Sequence, residues 1–262
     1  MRRAKIVATL GPSSNTPEKI EALVKAGMNV CRLNFSHGTH EQHREVYGYI
    51  RAVEEKLRTH VAVLQDLPGP KIRCAQMKPG VVLQEGQPFS LFVGNQEGDE
   101  QRAFTTYETL AEDVKPGERI LIDDGKLVLR AEQVEPERKV VHCKVMLGGE
   151  LLGRKGINLP ESNLSIPSFT DEDRKHLRFG LELGVDFVAL SFVRDAGDIH
   201  RIKEAIAESG RQVPVIAKIE KPEAMKNIED ILEATDGVMV ARGDLAVEMS
   251  TEDVPVLQKQ LI

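Results

Sequence analysis

Short apolar segments alternate with helical patterns along most of this chain, and that rhythm narrows the possible folds more than any single residue does. Residues 5–10 read as a strand, and Thr16-Pro17-Glu18 then opens a helix with Thr as N-cap and Pro at the first helical position. Strand 28–33, helix 39–57 and strand 61–65 follow. The alternation resumes at Thr170 with helix 171–183, strand 187–192, helix 196–209, strand 213–217, helix 222–234 and strand 237–241, and a last helix begins near Glu252. Strands this continuously apolar fit a parallel sheet covered by helices. Repeating βα units of about 30 residues leave two architectures, a β/α barrel or an open doubly wound sheet. The barrel is favoured, because polar chemistry gathers at the C-terminal ends of several strands, where barrel enzymes carry it.

Between about Arg73 and Arg154 the pattern changes to period-2 alternation, as in Val81-Val82-Leu83, Phe89-Ser90-Leu91-Phe92-Val93 and 120–122. Asp124-Gly125 separates 120–123 from 126–130 as a hairpin dipeptide. An all-β block inside a β/α alternation is most simply an insertion. The expected fold is therefore an α/β TIM-type (β/α)8 barrel represented by six βα units. The barrel is assigned to 1–72 and 156–262, and the inserted all-β lid domain to 73–155.

Of 262 residues 41% are hydrophobic, enough for a full core. The net charge of −6 argues against non-specific nucleic-acid binding. Apolar runs are too short for a membrane span, and the first residues lack a signal-peptide apolar region. Cys31, Cys74 and Cys143 are odd in number and widely separated, as expected of reduced thiols in a cytoplasmic protein.

The densest chemistry lies at two adjacent strand ends. Val213-Pro214-Val215-Ile216-Ala217 ends at Lys218-Ile219-Glu220, and Gly237-Val238-Met239-Val240-Ala241 ends at Arg242-Gly243-Asp244. Lys218 and Glu220 are two apart and share a strand face. If the strands are parallel neighbours, Asp244 leaves the sheet at the same edge. Two carboxylates with an ammonium alongside suggest a Mg²⁺ site that handles anionic oxygen; the rival is a salt bridge at the sheet rim. Strand two ends in Arg32-Leu33-Asn34-Phe35-Ser36-His37, and strand three in Asp66-Leu67-Pro68-Gly69-Pro70-Lys71-Ile72-Arg73. Arg32 suits forked hydrogen bonding to phosphate or carboxylate. His37, His40 and His43 are spaced like metal ligands but lack a fourth partner and do not make a zinc site. Gly-rich 148–153 lacks the ending of a phosphate-binding P-loop.

Together these stretches resemble the pyruvate kinase family: 5–12, 32–38, 66–73, Ile122-Asp123-Asp124-Gly125, Lys155-Gly156-Ile157-Asn158-Leu159-Pro160, Lys218-Ile219-Glu220 and 239–248, over the whole length and in the family's order. The resemblance implies phosphoryl transfer from phosphoenolpyruvate to ADP, giving pyruvate and ATP, with Mg²⁺ (or Mn²⁺) held by Glu220 and Asp244. It gives Lys218 the catalytic role, Arg32 the phosphoryl group, and the Gly243 backbone the substrate carboxylate. Asn34, His37, Arg73 and Lys155 match nucleotide positions. Asp124 is open between a turn residue and a ligand contact. Asn34, Ser36 and Asp66 resemble K⁺ ligands, but Leu67 and Lys71 replace the Thr and Glu of K⁺-dependent members. An ammonium beside K⁺ would repel it by several kcal/mol at an effective dielectric near 20, so K⁺ is not required.

Family members resemble homotetramers. The family's next strand carries a substrate-contacting Thr, and further strands and a C-terminal domain follow. The expectation is a truncated chain, poorly stable and weakly active or inactive alone. Its rivals are a non-catalytic remnant and a Mg²⁺-enolate carbon–carbon lyase, which has no use for a lid.

Overall fold

The computed structural model describes residues 3–249 and 251–262. Along the chain, β1 (Ile6–Thr9), α1 (Pro17–Lys25), β2 (Met28–Asn34), α2 (His40–Leu57) and β3 (Ala62–Leu67) come first. Thr16 caps α1 by accepting from the Lys19 amide. Thr39 and Gln42 form a reciprocal capping box on α2, satisfying amides that the first turn leaves open. The next elements are β4 (Val82–Leu83), β5 (Pro88–Val93), β6 (Arg102–Thr105), α3 (Leu110–Asp113), β7 (Arg119–Ile122), β8 (Leu127–Glu135), β9 (Val140–Leu147), β10 (Gly149–Glu150) and β11 (Ile157–Asn158). Then come α4 (Asp171–Leu183), β12 (Phe187–Leu190), α5 (Ala196–Glu208), β13 (Val215–Ile219), α6 (Pro222–Lys226), α7 (Ile228–Ala234), β14 (Gly237–Val240), α8 (Arg242–Glu248) and α9 (Val254–Leu261).

The chain divides into two compact units. The first holds 1–69, 168–219 and 223–240; the second holds 70–167, 220–222 and 241–262.

In the first unit, β1-β2-β3-β12-β13-β14 pair in that order, and every pair is parallel. Sequential parallel order with a helix after each strand is how barrel strands are laid down, and the fold class is that of a partial β/α barrel. β3, β12 and β13 are buried nearly throughout, which accounts for their unbroken apolar runs. Packing of α2 and α4 uses the histidines that resembled a metal cluster. His40 stacks on Phe179 and His43 on Phe35, each at 4.1 Å, and His40 Nε2 meets His176 Nδ1 at 2.7 Å. Burial first, and then the charge of His40, hold the His176 pKa below its ordinary value. Among the described residues no three His, Cys, Asp or Glu side chains gather to hold a metal.

Several boundaries differ from expectation for local reasons. The strand expected to run to Phe192 stops at Leu190, because Phe192 is left-handed (φ 56°). β13 starts at Val215 rather than 213, with Pro214 unable to donate and the Val215 amide taken by Asp236. It runs on to Ile219, so Lys218 lies inside the strand. Helix 222–234 is interrupted at Asn227, whose side-chain Nδ2 donates to the Arg194 carbonyl at 2.9 Å.

The second unit contains a six-stranded sheet in the order β11-β7-β8-β9-β5-β6, with β4 and β10 paired separately. Asp124-Gly125 does turn β7 into β8, with Asp123, Asp124 and Gly125 all at positive φ. The block is built almost wholly of strands, as expected. It includes α3, and β5 and β6 run parallel, so the sheet is mixed. Its core is a separate cluster around Phe89, Leu91, Leu110, Ile120, Ile122 and Leu129. Cys31, Cys74 and Cys143 are free and buried, and burial pushes each thiol up to about 12.

Candidate active site

Register decides which side chains in the first unit share a face. In a parallel sheet the period-2 alternation carries across each pair. Arg32 pairs with Leu64, two residues before Asp66; Asp66 pairs with Ala189, two before Ser191; and Leu190 pairs with Ala217, one before Lys218. Arg32, Asp66, Ser191 and Lys218 therefore stand on one face at the C-terminal ends of β2, β3, β12 and β13, which are consecutive in the sheet.

Asp66 is their hub. Its carboxylate is 1% exposed. Oδ2 accepts from Arg32 Nε at 2.6 Å and pairs with Arg32 Nη2 at 2.5 Å, while Oδ1 lies 3.3 Å from Lys218 Nζ. Lys218 Nζ also donates to Ser191 Oγ at 2.7 Å, and that hydroxyl lies 2.7 Å from the Leu67 carbonyl. Arg32 Nη1 reaches Thr9 Oγ1 on β1 at 2.8 Å. The result is an ammonium and a guanidinium oriented by one buried anion, an arrangement suited to anionic oxygen.

The loops behind it are tied down. Gly69 sits at φ 65°, and a Cβ there would come within 2.8 Å of the Phe192 ring and 3.2 Å of Ser191 Cβ. Its amide donates to Asp173 Oδ1 at 3.0 Å. Only glycine fits this turn between Asp66 and the second unit. Ser168 Oγ lies 2.6 Å from the Phe192 carbonyl and 2.8 Å from Asp198, which fixes the loop after Ser191. Asn34 Oδ1 accepts from the Ser36 amide at 3.0 Å, so those two form an Asx turn. His37 is exposed, and its carbonyl lies 2.9 Å from His43 Nε2.

The other candidates lie in the second unit. Arg73 bridges Gly156, and the Cys74 amide donates to the Lys155 carbonyl at 2.8 Å, so the chain segments bearing Arg73 and Lys155 run side by side. Lys155 Nζ is 3.0 Å from Asp123. Lys126 first, then Lys155, hold the Asp123 carboxyl below the usual range. Asp124 is exposed, and the lysine-binding role belongs to Asp123, which sequence reasoning did not single out. Lys71 lines a cavity of about 310 Å³ with Thr106, Tyr107 and Ser165.

Glu220 is 1% exposed and is the first residue past β13. Asp244 lies in the first turn of α8, an element the sequence pattern did not suggest, and is exposed. Gly243 precedes it, and a Cβ there would meet no protein atom within 4 Å, so packing does not demand glycine. The flanking residues are joined: Lys221 Nζ donates to Glu248 Oε2 at 2.9 Å and Asn158 Nδ2 to Oε1 at 2.8 Å. The sequence alone assigns no role to Ser191, Lys221, Glu248 or Asn158. Ser191 ends an apolar run and carries no spacing signal, and the other three meet only through tertiary packing.

Over residues 1–262 the chain matches the family model described as pyruvate kinase, barrel domain. It is 49% identical to "Pyruvate kinase 2" of Synechocystis sp., over all of this chain and 45% of that protein. Identity to the pyruvate kinase of Corynebacterium glutamicum is 47%, over all of this chain and 55% of that one. For the pyruvate kinase of Staphylococcus aureus it is 45%, over all of this chain and 45% of the relative. The chain spans about half the length of the curated relatives it matches.

Proposed function

The chain belongs to the pyruvate kinase family, and from that premise we propose that it transfers a phosphoryl group from phosphoenolpyruvate to ADP in the cytoplasm, giving pyruvate and ATP. The observation that carries this reading is the pair of cations, Arg32 and Lys218, held on one buried carboxylate at neighbouring strand ends. Such transfers need positioning and charge stabilisation more than covalent help from the protein. Arg32 grips the phosphoryl oxygens. The Lys218 ammonium offsets charge on the phosphoryl group as its bond to the enol oxygen breaks and a bond to the nucleotide forms, and then on the enolate left behind.

Glu220 and Asp244 are assigned as Mg²⁺ ligands. The donor chemistry fits: carboxylates are the hard oxygens this ion takes, and it binds through one or two of them plus substrate oxygens rather than in a full protein cage. When bound it would neutralise charge on the substrate's carboxylate and phosphoryl oxygens. The Gly243 backbone is assigned to the substrate carboxylate. Asn34, His37, Arg73 and Lys155 are assigned to the nucleotide, with 73–155 as the lid and 1–72 with 156–262 as the barrel. By the same resemblance a full-length form is a homotetramer.

Asp66 also bears on monovalent cations. Both of its oxygens are engaged by protein cations, which leaves a poor ligand for K⁺ beside Asn34 and Ser36. This supports K⁺-independence, in line with Lys71 standing where K⁺-dependent members have Glu. A coupled assay of ATP formation from phosphoenolpyruvate and ADP tests both levels. Turnover that requires Mg²⁺ and keeps most of its rate when K⁺ is replaced by tetramethylammonium is the expected result. Absence of ATP formation from this chain and also from a form that carries the remaining length of its relatives contradicts the kinase reading, and loss of most of the rate without K⁺ contradicts the second.

A further inference from the structure

Lys221 and Glu248 form an ion pair whose side chains are only 6% and 1% exposed. Burying two charges this completely is a poor route to stability, because desolvation offsets most of the attraction and an apolar pair of similar volume does as well. The pair is nevertheless satisfied on both sides, with Lys221 on one Glu248 oxygen and Asn158 on the other. Its place in the chain suggests what it is for. Lys221 directly follows Glu220. Glu248 follows Asp244 by four residues, one turn along the same side of α8. That helix is seven residues long and has no side-chain cap at its start, so it does little by itself to fix Asp244.

We propose that the Lys221–Glu248 pair, anchored by Asn158, is a positioning clamp that holds the Glu220 and Asp244 carboxylates at the separation a divalent cation requires. The proposal rests on the reading of those two residues as cation ligands. Two carboxylates brought close together without a cation repel one another. An ion pair between the residue after Glu220 and the residue one helical turn past Asp244 opposes that repulsion, and Asn158 fixes the direction in which Glu248 points. The clamp touches neither substrate nor cation; it acts through the residues beside it.

Mn²⁺ binding to the protein, followed by the electron paramagnetic resonance signal of the free ion, separates the clamp from the reading it rests on. Glu220→Gln and Asp244→Asn are each expected to weaken binding sharply. Native-like affinity in both, or no binding by the native protein, overturns the cation site and the clamp with it. Given that site, the paired change Lys221→Met and Glu248→Leu supplies an apolar contact of similar volume. It is expected to keep the circular dichroism of the native chain while raising the Mn²⁺ Kd about tenfold, as loss of a group that orients metal ligands does. If that double variant does not fold, Asn158→Ala decides, with a smaller rise expected. Native Mn²⁺ affinity in a folded double variant, or in Asn158→Ala where the double variant fails, overturns the clamp and leaves the cation site standing.

Discussion

Replacing Lys218 with Met is expected to lower kcat for ATP formation by about 10³-fold, about 4 kcal/mol of transition-state stabilisation. The affinities for phosphoenolpyruvate and Mn²⁺ should change far less. Lys218 is 8% exposed, and its ammonium is already aimed by Ser191 and Asp66. A cation oriented in advance and shielded from water acts on developing charge without first having to reorganise. Met fills nearly the same volume, so the buried position stays packed and the loss reports the charge. Steady-state kinetics with each substrate varied make the measurement. A fall of less than tenfold in kcat, or a loss confined to KM, would mean that Lys218 binds rather than catalyses.

Asp66→Asn is expected to do the largest structural damage of any single change at this site. It removes a buried anion that pairs with both Arg32 and Lys218. Breaking a buried pair by deleting one partner costs about 3–5 kcal/mol, because a charge is left behind without compensation. Arg32 keeps 23% of its side-chain exposure and Lys218 10%. Water can therefore relieve part of the loss at Arg32 and less at Lys218. The thermal midpoint should fall by on the order of 10 °C, with phosphoryl transfer lost alongside. Scanning calorimetry of the two proteins checks it, and an unchanged midpoint would show that Asp66 is not what holds the two cations.

The parallel strands are legible in the sequence because β3, β12 and β13 are buried on both faces and leave continuous apolar runs. Helix starts are legible too, since Thr16, Thr39 and Thr170 cap through local hydrogen bonds that depend on nearest neighbours alone. Elements that depend on distant partners are not. The break at Asn227 comes from a carbonyl far away in the chain, and the β5–β6 parallel pair has no local signature. At the site, the residue types at Arg32 and Lys218 announce their chemistry, whereas Asp66 reads in the sequence as a K⁺ ligand and not as the partner of two cations. Its role as the common partner of both cations follows only from the register of neighbouring strands. Ser191 looks like an ordinary strand end until Lys218 is placed beside it. The hairpin dipeptide Asp124-Gly125 draws attention to Asp124, whereas the lysines are held by Asp123 just before it.

The account as a whole stands on Glu220 and Asp244 sharing one divalent cation. Crystals grown with Mn²⁺ and phosphoenolpyruvate, measured at the manganese absorption edge, test this most directly. The expected map has a single strong anomalous peak bonded to a carboxylate oxygen of Glu220 and one of Asp244, at about the 2.0–2.1 Å that Mg²⁺ demands or slightly longer. A peak coordinated by other side chains, or the two carboxylates too far apart to reach one ion, would contradict it.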